Sequence, residues 1–271
     1  MPMNQKKTAK FWQDTSFPIA VAHRGGDAAG IEKENSLKAF QAAYDIGYRW
    51  FETDVVPTKD GKLLVIHGRG YQLRPNKDLP SRLKVQSMTY AEALECITVG
   101  GEKPLRLEEL LDAFPEVKFF LDPKTLKAAS ALARSLINRP QDLNRVRVGS
   151  FIPFNNARVY RMIKRATGKE VSLTLLGPLK SMPIKLAAIL PILKPVVSSY
   201  IRWTRAESIH VPHSWIAGSK GKKIVQLAHE SGSKVGVYTP NSKEDIEQSL
   251  ASGAEVIMSD NIRLLKRIVK S

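Results

Sequence analysis

Eight short apolar runs, rich in β-branched and aromatic residues, recur along this chain with helix-period stretches between most of them. The runs are Ile19–His23, Trp50–Val55, Phe119–Asp122, Arg147–Phe151, Val171–Leu175, Ser208–Val211, Lys234–Tyr238 and Glu255–Ser259. Helical spacing of apolar residues appears over Ser36–Ile46, Arg106–Phe114, Leu126–Asn138, Asn155–Thr167, Lys220–Ser231 and Ser242–Ser252. A strand that returns to lie parallel beside its neighbour needs a crossover of a dozen or more residues, usually a helix. Eight such units predict a closed α/β barrel of the TIM-type (β/α)8 class, whose strand C-termini gather at one mouth. A length of 271 residues suits one such domain, and no Pro/Gly/Ser-rich linker divides it. The polar stretch over residues 1–17 reads as a peripheral N-terminal arm.

The net charge of +16 favours anionic partners: nucleic acid, phosphate esters or an acidic membrane face. It equally suits a merely soluble surface, so charge leaves these open. No aromatic–basic stacking motif supports nucleic acid, and none is expected as a partner. The lone Cys96 excludes an intrachain disulfide and fits a reducing compartment. The apolar stretch Met182–Ile201 is broken by Lys185, Lys194 and three prolines, and so does not read as a membrane span. Pro18–Ala22 is too short for a signal-peptide core. The expected location is cytoplasmic, with a membrane-peripheral variant of it considered below.

The segment from Phe51 to His67 is the most informative. Asp60-Gly61 is a two-residue hairpin signal. Counting outward places Lys59 opposite Lys62, Thr58 opposite Leu63 and Asp54 opposite His67, as a small hairpin insertion after the second strand. Pro57 could perturb that register. Glu52 and Asp54 are two residues apart and share a strand face. Two carboxylates side by side repel unless a cation sits between them, and oxygen ligands favour a hard ion. On their own the pair reads first as an ordinary solvated strand edge.

Taken in order, His23-Arg24-Gly25, Glu34-Asn35-Ser36, Glu52-Thr53-Asp54, Thr58-Lys59-Asp60-Gly61 and His67 resemble the glycerophosphodiester phosphodiesterase family. Asp122-Pro123-Lys124, Gly149-Ser150-Phe151, Val237-Tyr238-Thr239-Pro240-Asn241 and Ser259-Asp260-Asn261 extend the likeness over most of the chain. The resemblance implies metal-dependent hydrolysis of glycerophosphodiesters to glycerol 3-phosphate and an alcohol. It implies one divalent cation, Mg²⁺ or Ca²⁺, held by Glu52, Asp54 and Asp122, with Arg24 and Lys124 binding the substrate phosphate. His23 and His67 would be the general acid and base, in an order the sequence leaves open. Family members are thought to attack with the substrate's own glycerol hydroxyl. Glu34 and Tyr238 are candidates for the surrounding pocket. Where the family carries aspartate after the second histidine this chain has Gly68, and Asp122 stands in place of a glutamate. Two other readings remain: a phosphodiesterase of the lysophospholipase D kind, and a catalytically silent phosphate- or lipid-binding barrel.

Residues 177–206 follow a strand end and read as a lid insertion at the mouth. From Val171 to Ala206 there is no acidic residue, but there are five basic ones. Ile184–Leu190 reads as a short apolar helix, either packed on the barrel or resting on anionic lipid. His210, His213 and His229 lack metal-ligand spacing and read as structural.

Overall fold

The structure is a computed structural model that describes residues 10–67, 72–73, 85–177 and 194–269. In chain order the strands are β1 (Ile19–His23), β2 (Trp50–Pro57), β3 (Leu63–Val65), β4 (Gln72–Leu73), β5 (Ile97–Thr98), β6 (Lys118–Pro123), β7 (Val146–Ser150), β8 (Ser172–Leu176), β9 (Ser208–Pro212), β10 (Lys234–Tyr238) and β11 (Val256–Ser259). The helices are α1 (Leu37–Asp45), α2 (Tyr90–Cys96), α3 (Leu107–Ala113), α4 (Leu126–Ile137), α5 (Pro153–Thr167), α6 (Lys194–Thr204), α7 (Gly218–Glu230), α8 (Lys243–Ala251) and α9 (Ile262–Ile268).

Strands β1, β2, β6, β7, β8, β9, β10 and β11 pair in parallel in that order, and β11 returns to β1. This is the closed eight-stranded barrel that the alternation predicts. The eight expected runs match the barrel strands to within two residues at each end, and the spacing missed α2, α6 and α9. Helices form where the apolar stripe can face the strands. In α4, Ala128, Leu132 and Leu136 recur at four-residue spacing and are all buried. Thr125 caps its first turn by accepting the Ala128 N–H. Ser36, rather than Asn35, caps α1 by accepting the Ala39 N–H at 3.2 Å. Asn35 instead takes a left-handed backbone (φ 62°) and receives the Thr53 hydroxyl at 2.7 Å, which ties the start of α1 to the middle of β2.

The hairpin register differs from the expected one by a single residue. Pro57 pairs with Leu63, Val56 with Leu64 and Val55 with Val65. The cause is Thr58: its hydroxyl donates to Asp60 Oδ1 at 2.6 Å and accepts the Lys62 N–H at 2.9 Å. That closes a three-residue loop with Gly61 at φ 81°, so Thr58 faces Lys62 and Asp54 faces Ile66. His67 follows the ladder instead of pairing opposite Asp54. Val56, Leu64 and Ile66 pack with Met88, Ala93 and Ile97 in a separate apolar cluster against α2.

The N-terminal arm is not peripheral where it is described. Phe11 and Trp12 are 1% and 5% exposed and pack with Ile19, Val21, Phe120, Val256 and Met258 inside the barrel. They lie over the guanidinium of Arg147, at 4.8 and 4.1 Å from its carbon. Arg147 is fully buried and held by Glu207, Ser208, Ser172 and Thr174. A polar layer thus fills the barrel floor, sealed by two aromatic rings from before β1. Residues 178–193, which hold the Ile184–Leu190 run and most of the expected lid, lie outside the described residues, as does Gly68. Among the described residues no helix is long and apolar enough to cross a membrane.

Candidate active site

Strand register decides which side chains meet at the mouth. His23 pairs with Glu52 across β1 and β2, and Asp54 pairs with Asp122 across β2 and β6. Because Glu52 and Asp54 are two residues apart, all four project to one side of the sheet. They line a cavity of about 220 Å³ with Arg24, His67, Lys124, Phe151 and Tyr238. The structure therefore brings together His23, His67, Arg24, Lys124, Glu52, Asp54, Asp122 and Tyr238.

Arg24 is aimed by backbone. It sits at φ 53°, followed by Gly25 and Gly26 at φ 87° and 69°. A Cβ on Gly25 would stand 2.8 Å from the Ala39 Cβ, and one on Gly26 2.3 Å from the Ile262 side chain, so only glycine fits this turn. Arg24 Nε lies 3.2 Å from Asp54 Oδ2, and Nη1 lies 3.1 Å from Glu34 Oε2. Glu34 is thus a partner of Arg24 across the first loop.

Lys124, expected to bind the substrate phosphate, is paired with two carboxylates. Its Nζ is 2.5 Å from Asp54 Oδ1 and pairs also with Asp122. Burial presses its pKa down, but the two carboxylates outweigh this and raise it. The ammonium therefore lies between two of the carboxylates expected to hold a metal ion. Among the described residues no three His, Cys, Asp or Glu side chains form a ready-made metal cluster. The donor chemistry nevertheless fits a hard cation. Glu52 Oε2 and Asp122 Oδ1 are buried and accept no hydrogen bond, and the Asp54 oxygens meet only cations. Burial drives Glu52 up to about 7 and Asp122 up to about 6. Buried, unsatisfied carboxylates of this kind are what a divalent ion would stabilise.

The two histidines differ. His23 Nδ1 is 2.5 Å from Asp260 Oδ1, and its Nε2 is 3.5 Å from Glu52 Oε2. Burial lowers its pKa, yet Glu52 and the Asp260 hydrogen bond more than offset that, and the net shift is upward. His67 is pressed below its ordinary value, chiefly by burial. Asp260 is held in turn by Asn241, whose Nδ2 donates to Oδ2 at 2.8 Å and whose Oδ1 accepts the Asp260 N–H at 2.9 Å.

Asp260 and Asn241 were not among the expected site residues. Their signal was position: both follow the C-terminal ends of barrel strands, and closure sets β11 beside β1. His210, expected to be structural, lines the cavity floor and is 1% exposed. Burial and Arg147 push it down to about 3, so it is neutral. Gly236 leaves its ring room, since a Cβ there would lie 2.3 Å away.

The sequence pattern of the glycerophosphoryl diester phosphodiesterase family matches residues 23–264. The chain belongs to this family. A Mycobacterium tuberculosis protein named "Probable glycerophosphodiester phosphodiesterase 2" is 33% identical over 169 residues, 61% of each chain. The match thus spans about three fifths of that relative's length. The crystal structure of a glycerophosphodiester phosphodiesterase from Thermotoga maritima covers 94% of this chain and 99% of its own, at TM-score 0.68 and 20% identity. An Oleispira antarctica phosphodiesterase, solved with the product sn-glycerol-3-phosphate, covers 94% of this chain and 98% of its own, at TM-score 0.71 and 18% identity. At these identities the two structures support the barrel fold alone.

Proposed function

We propose that this family member hydrolyses glycerophosphodiesters to glycerol 3-phosphate and an alcohol, with a divalent cation held by Glu52, Asp54 and Asp122. One observation carries the reading: two imidazoles share a cavity with three buried carboxylates and two cations. Family membership supports the substrate class, and the product bound in the Oleispira antarctica relative is the one expected here. When bound, a divalent ion neutralises phosphoryl charge and polarises a phosphoryl oxygen.

The protein's own groups manage the protons. His67, lowered by burial, is neutral near pH 7 and takes the proton from the attacking hydroxyl as its oxygen bonds to phosphorus. His23 keeps its proton to higher pH and gives it to the alcohol oxygen as the P–O bond to that oxygen breaks, leaving a cyclic phosphate. Water then adds to phosphorus, losing a proton to His23, while His67 returns its proton to the glycerol oxygen as the ring opens to glycerol 3-phosphate. Asp260 holds the His23 ring in place through Nδ1, leaving Nε2 toward the cavity. The Arg24 fork and the Lys124 ammonium face the phosphate oxygens. Tyr238, at the end of β10 with its ring 6.1 Å from that of Phe151, closes the alcohol side. Cys96 is buried and unpaired, which supports a reducing, cytoplasmic setting.

Chelator-treated protein assayed with glycerophosphocholine and lysophosphatidylcholine, with and without Mg²⁺ or Ca²⁺, tests this reading. Glycerol 3-phosphate released from glycerophosphocholine only with added ion supports it. Hydrolysis of lysophosphatidylcholine alone would shift the substrate class to lysophospholipids. Ligand binding without any product would point to a silent barrel.

A further inference from the structure

Among the described residues, six of the eight large hydrophobic side chains most exposed to water gather at one end, Val196 and Trp203 of α6 being the other two. Ile31 and Leu37 follow β1, Leu126 follows β6, and Phe151, Ile152 and Phe154 follow β7; all are more than 40% exposed. Each lies beyond the C-terminal end of a barrel strand, on the side where the catalytic cavity opens. The last four form the rim over β6 and β7. Phe154 is the most exposed at 68%, and Phe151 also lines the cavity, so rim and cavity are continuous. Single exposed apolar residues need no explanation, but a cluster of large ones around a mouth does.

Charge on this rim has one sign. From Pro123 to Gln141, and again from Leu143 to Lys169, the chain contains no aspartate or glutamate. Phe154, Arg158, Arg161 and Arg165 follow helical spacing along one face of α5. Arg158 therefore lies one turn, about 6 Å, below the phenyl ring. Leu126 at the start of α4 faces the same cleft, which Phe154, Arg158, Arg161 and Met162 also line. An apolar tip with a basic collar one turn behind it is the arrangement that inserts at a lipid interface: rings enter the acyl boundary while cations meet headgroup phosphates.

We propose that the rim formed by Leu126, Ile152 and Phe154, with Arg158 and Arg161 behind it, docks this protein on an anionic bilayer surface. Charge complementarity selects that occupant over a neutral one. The docking turns the catalytic mouth toward the lipid, so a phosphodiester headgroup at the surface enters without crossing bulk water. The proposed surface draws on none of residues 177–206, where the sequence alone suggested a lipid contact. It does not depend on the hydrolytic reading, because binding to vesicles is measured without turnover.

Co-sedimentation of the full chain with sucrose-loaded vesicles tests the proposal. The vesicles are phosphatidylcholine alone, or phosphatidylcholine with about one third phosphatidylglycerol. Binding to the anionic vesicles that weakens as salt is added, with little binding to the neutral ones, is the expected result. The double variant Ile152→Asp/Phe154→Asp should bind about tenfold more weakly or worse. Arg158→Glu/Arg161→Glu should lose about tenfold as well. Retained circular dichroism and unfolding temperature show that the variants are folded; Ile152 is the residue capping α5, where aspartate is well tolerated. No binding by the unaltered protein, or unchanged binding by Ile152→Asp/Phe154→Asp, overturns the proposal. A dimer in solution that this variant dissociates, with no vesicle binding, also overturns it, since the patch then seals against a second copy.

Discussion

The His23 ring stands between two carboxylates, with Nδ1 2.5 Å from Asp260 Oδ1 and Nε2 3.5 Å from Glu52 Oε2. The contact joins the first barrel strand to the last and exists because the barrel closes there. Asp260→Asn keeps the shape but removes the charge that orients the ring and favours its proton. The expected result is a fall in kcat of roughly 100-fold or more, with KM little changed. The limb of the pH profile that reports His23 should move to lower pH. Steady-state kinetics beside a thermal melt separates this from loss of fold.

Glu52 and Asp122 make cation binding a stability measurement. Their pKa values in the folded chain are raised to about 7 and about 6, from the usual 4.5 and 3.8. The stabilisation that accompanies a raised carboxyl pKa is complete below the unfolded value and is lost as pH rises through the folded one. By pH 8 both groups are ionised in a buried site. Mg²⁺ or Ca²⁺ should then raise the melting temperature by several degrees at saturation, and by less at pH 5. Glu52→Gln should melt higher than the unaltered protein at pH 8 without added ion, and should lose most of the ion-dependent rise. Differential scanning calorimetry with and without chelator reads all of these.

His210 gives a pH dependence of the opposite sign. Its folded pKa is pushed down to about 3, while in the unfolded chain it titrates near 6.5. Its contribution is whole above pH 6.5 and is lost as pH falls from 6.5 toward 3, because the unfolded chain takes the proton first. The slope approaches roughly 1.4 kcal/mol per pH unit. His210→Asn should flatten that slope in urea unfolding curves measured between pH 7 and pH 4. An identical slope in both proteins would refute the assignment.

Trp12 is expected to matter far more than a peripheral position would allow. Its indole packs in the barrel floor and covers the Arg147 guanidinium. Trp12→Ala should destabilise the protein by about 3–5 kcal/mol, since it opens a cavity and uncovers a buried cation. Denaturant unfolding measures it, and a loss below about 1 kcal/mol would mean the arm is dispensable.

Much of this molecule could be read before any coordinates. The barrel strands were visible because parallel strands covered on both faces are short apolar runs, and the crossovers have helical period. His23, Glu52, Asp54 and Asp122 were legible as candidates because the family resemblance singles them out and strand ends carry them to the mouth. The hairpin register was not, because Thr58 closes its own loop through a side-chain hydroxyl, an alternative that a count from Asp60-Gly61 cannot weigh. The burial of Phe11 and Trp12 was hidden by the polar residues around them, and depends on Arg147 waiting across the barrel floor. The Asp260 contact was hidden too, since 237 residues separate it from His23 and only barrel closure brings them together.

The central claim is that a cation and two imidazoles act together on a phosphodiester in one cavity. Glycerol 3-phosphate release from glycerophosphocholine, measured in chelator-treated protein before and after Mg²⁺ or Ca²⁺ is restored, tests it most directly when His23→Ala and His67→Ala are run alongside. The account predicts turnover only with the ion, and loss of about 100-fold or more in each variant with the fold retained. Full activity in chelated protein, or in either histidine variant, would contradict it.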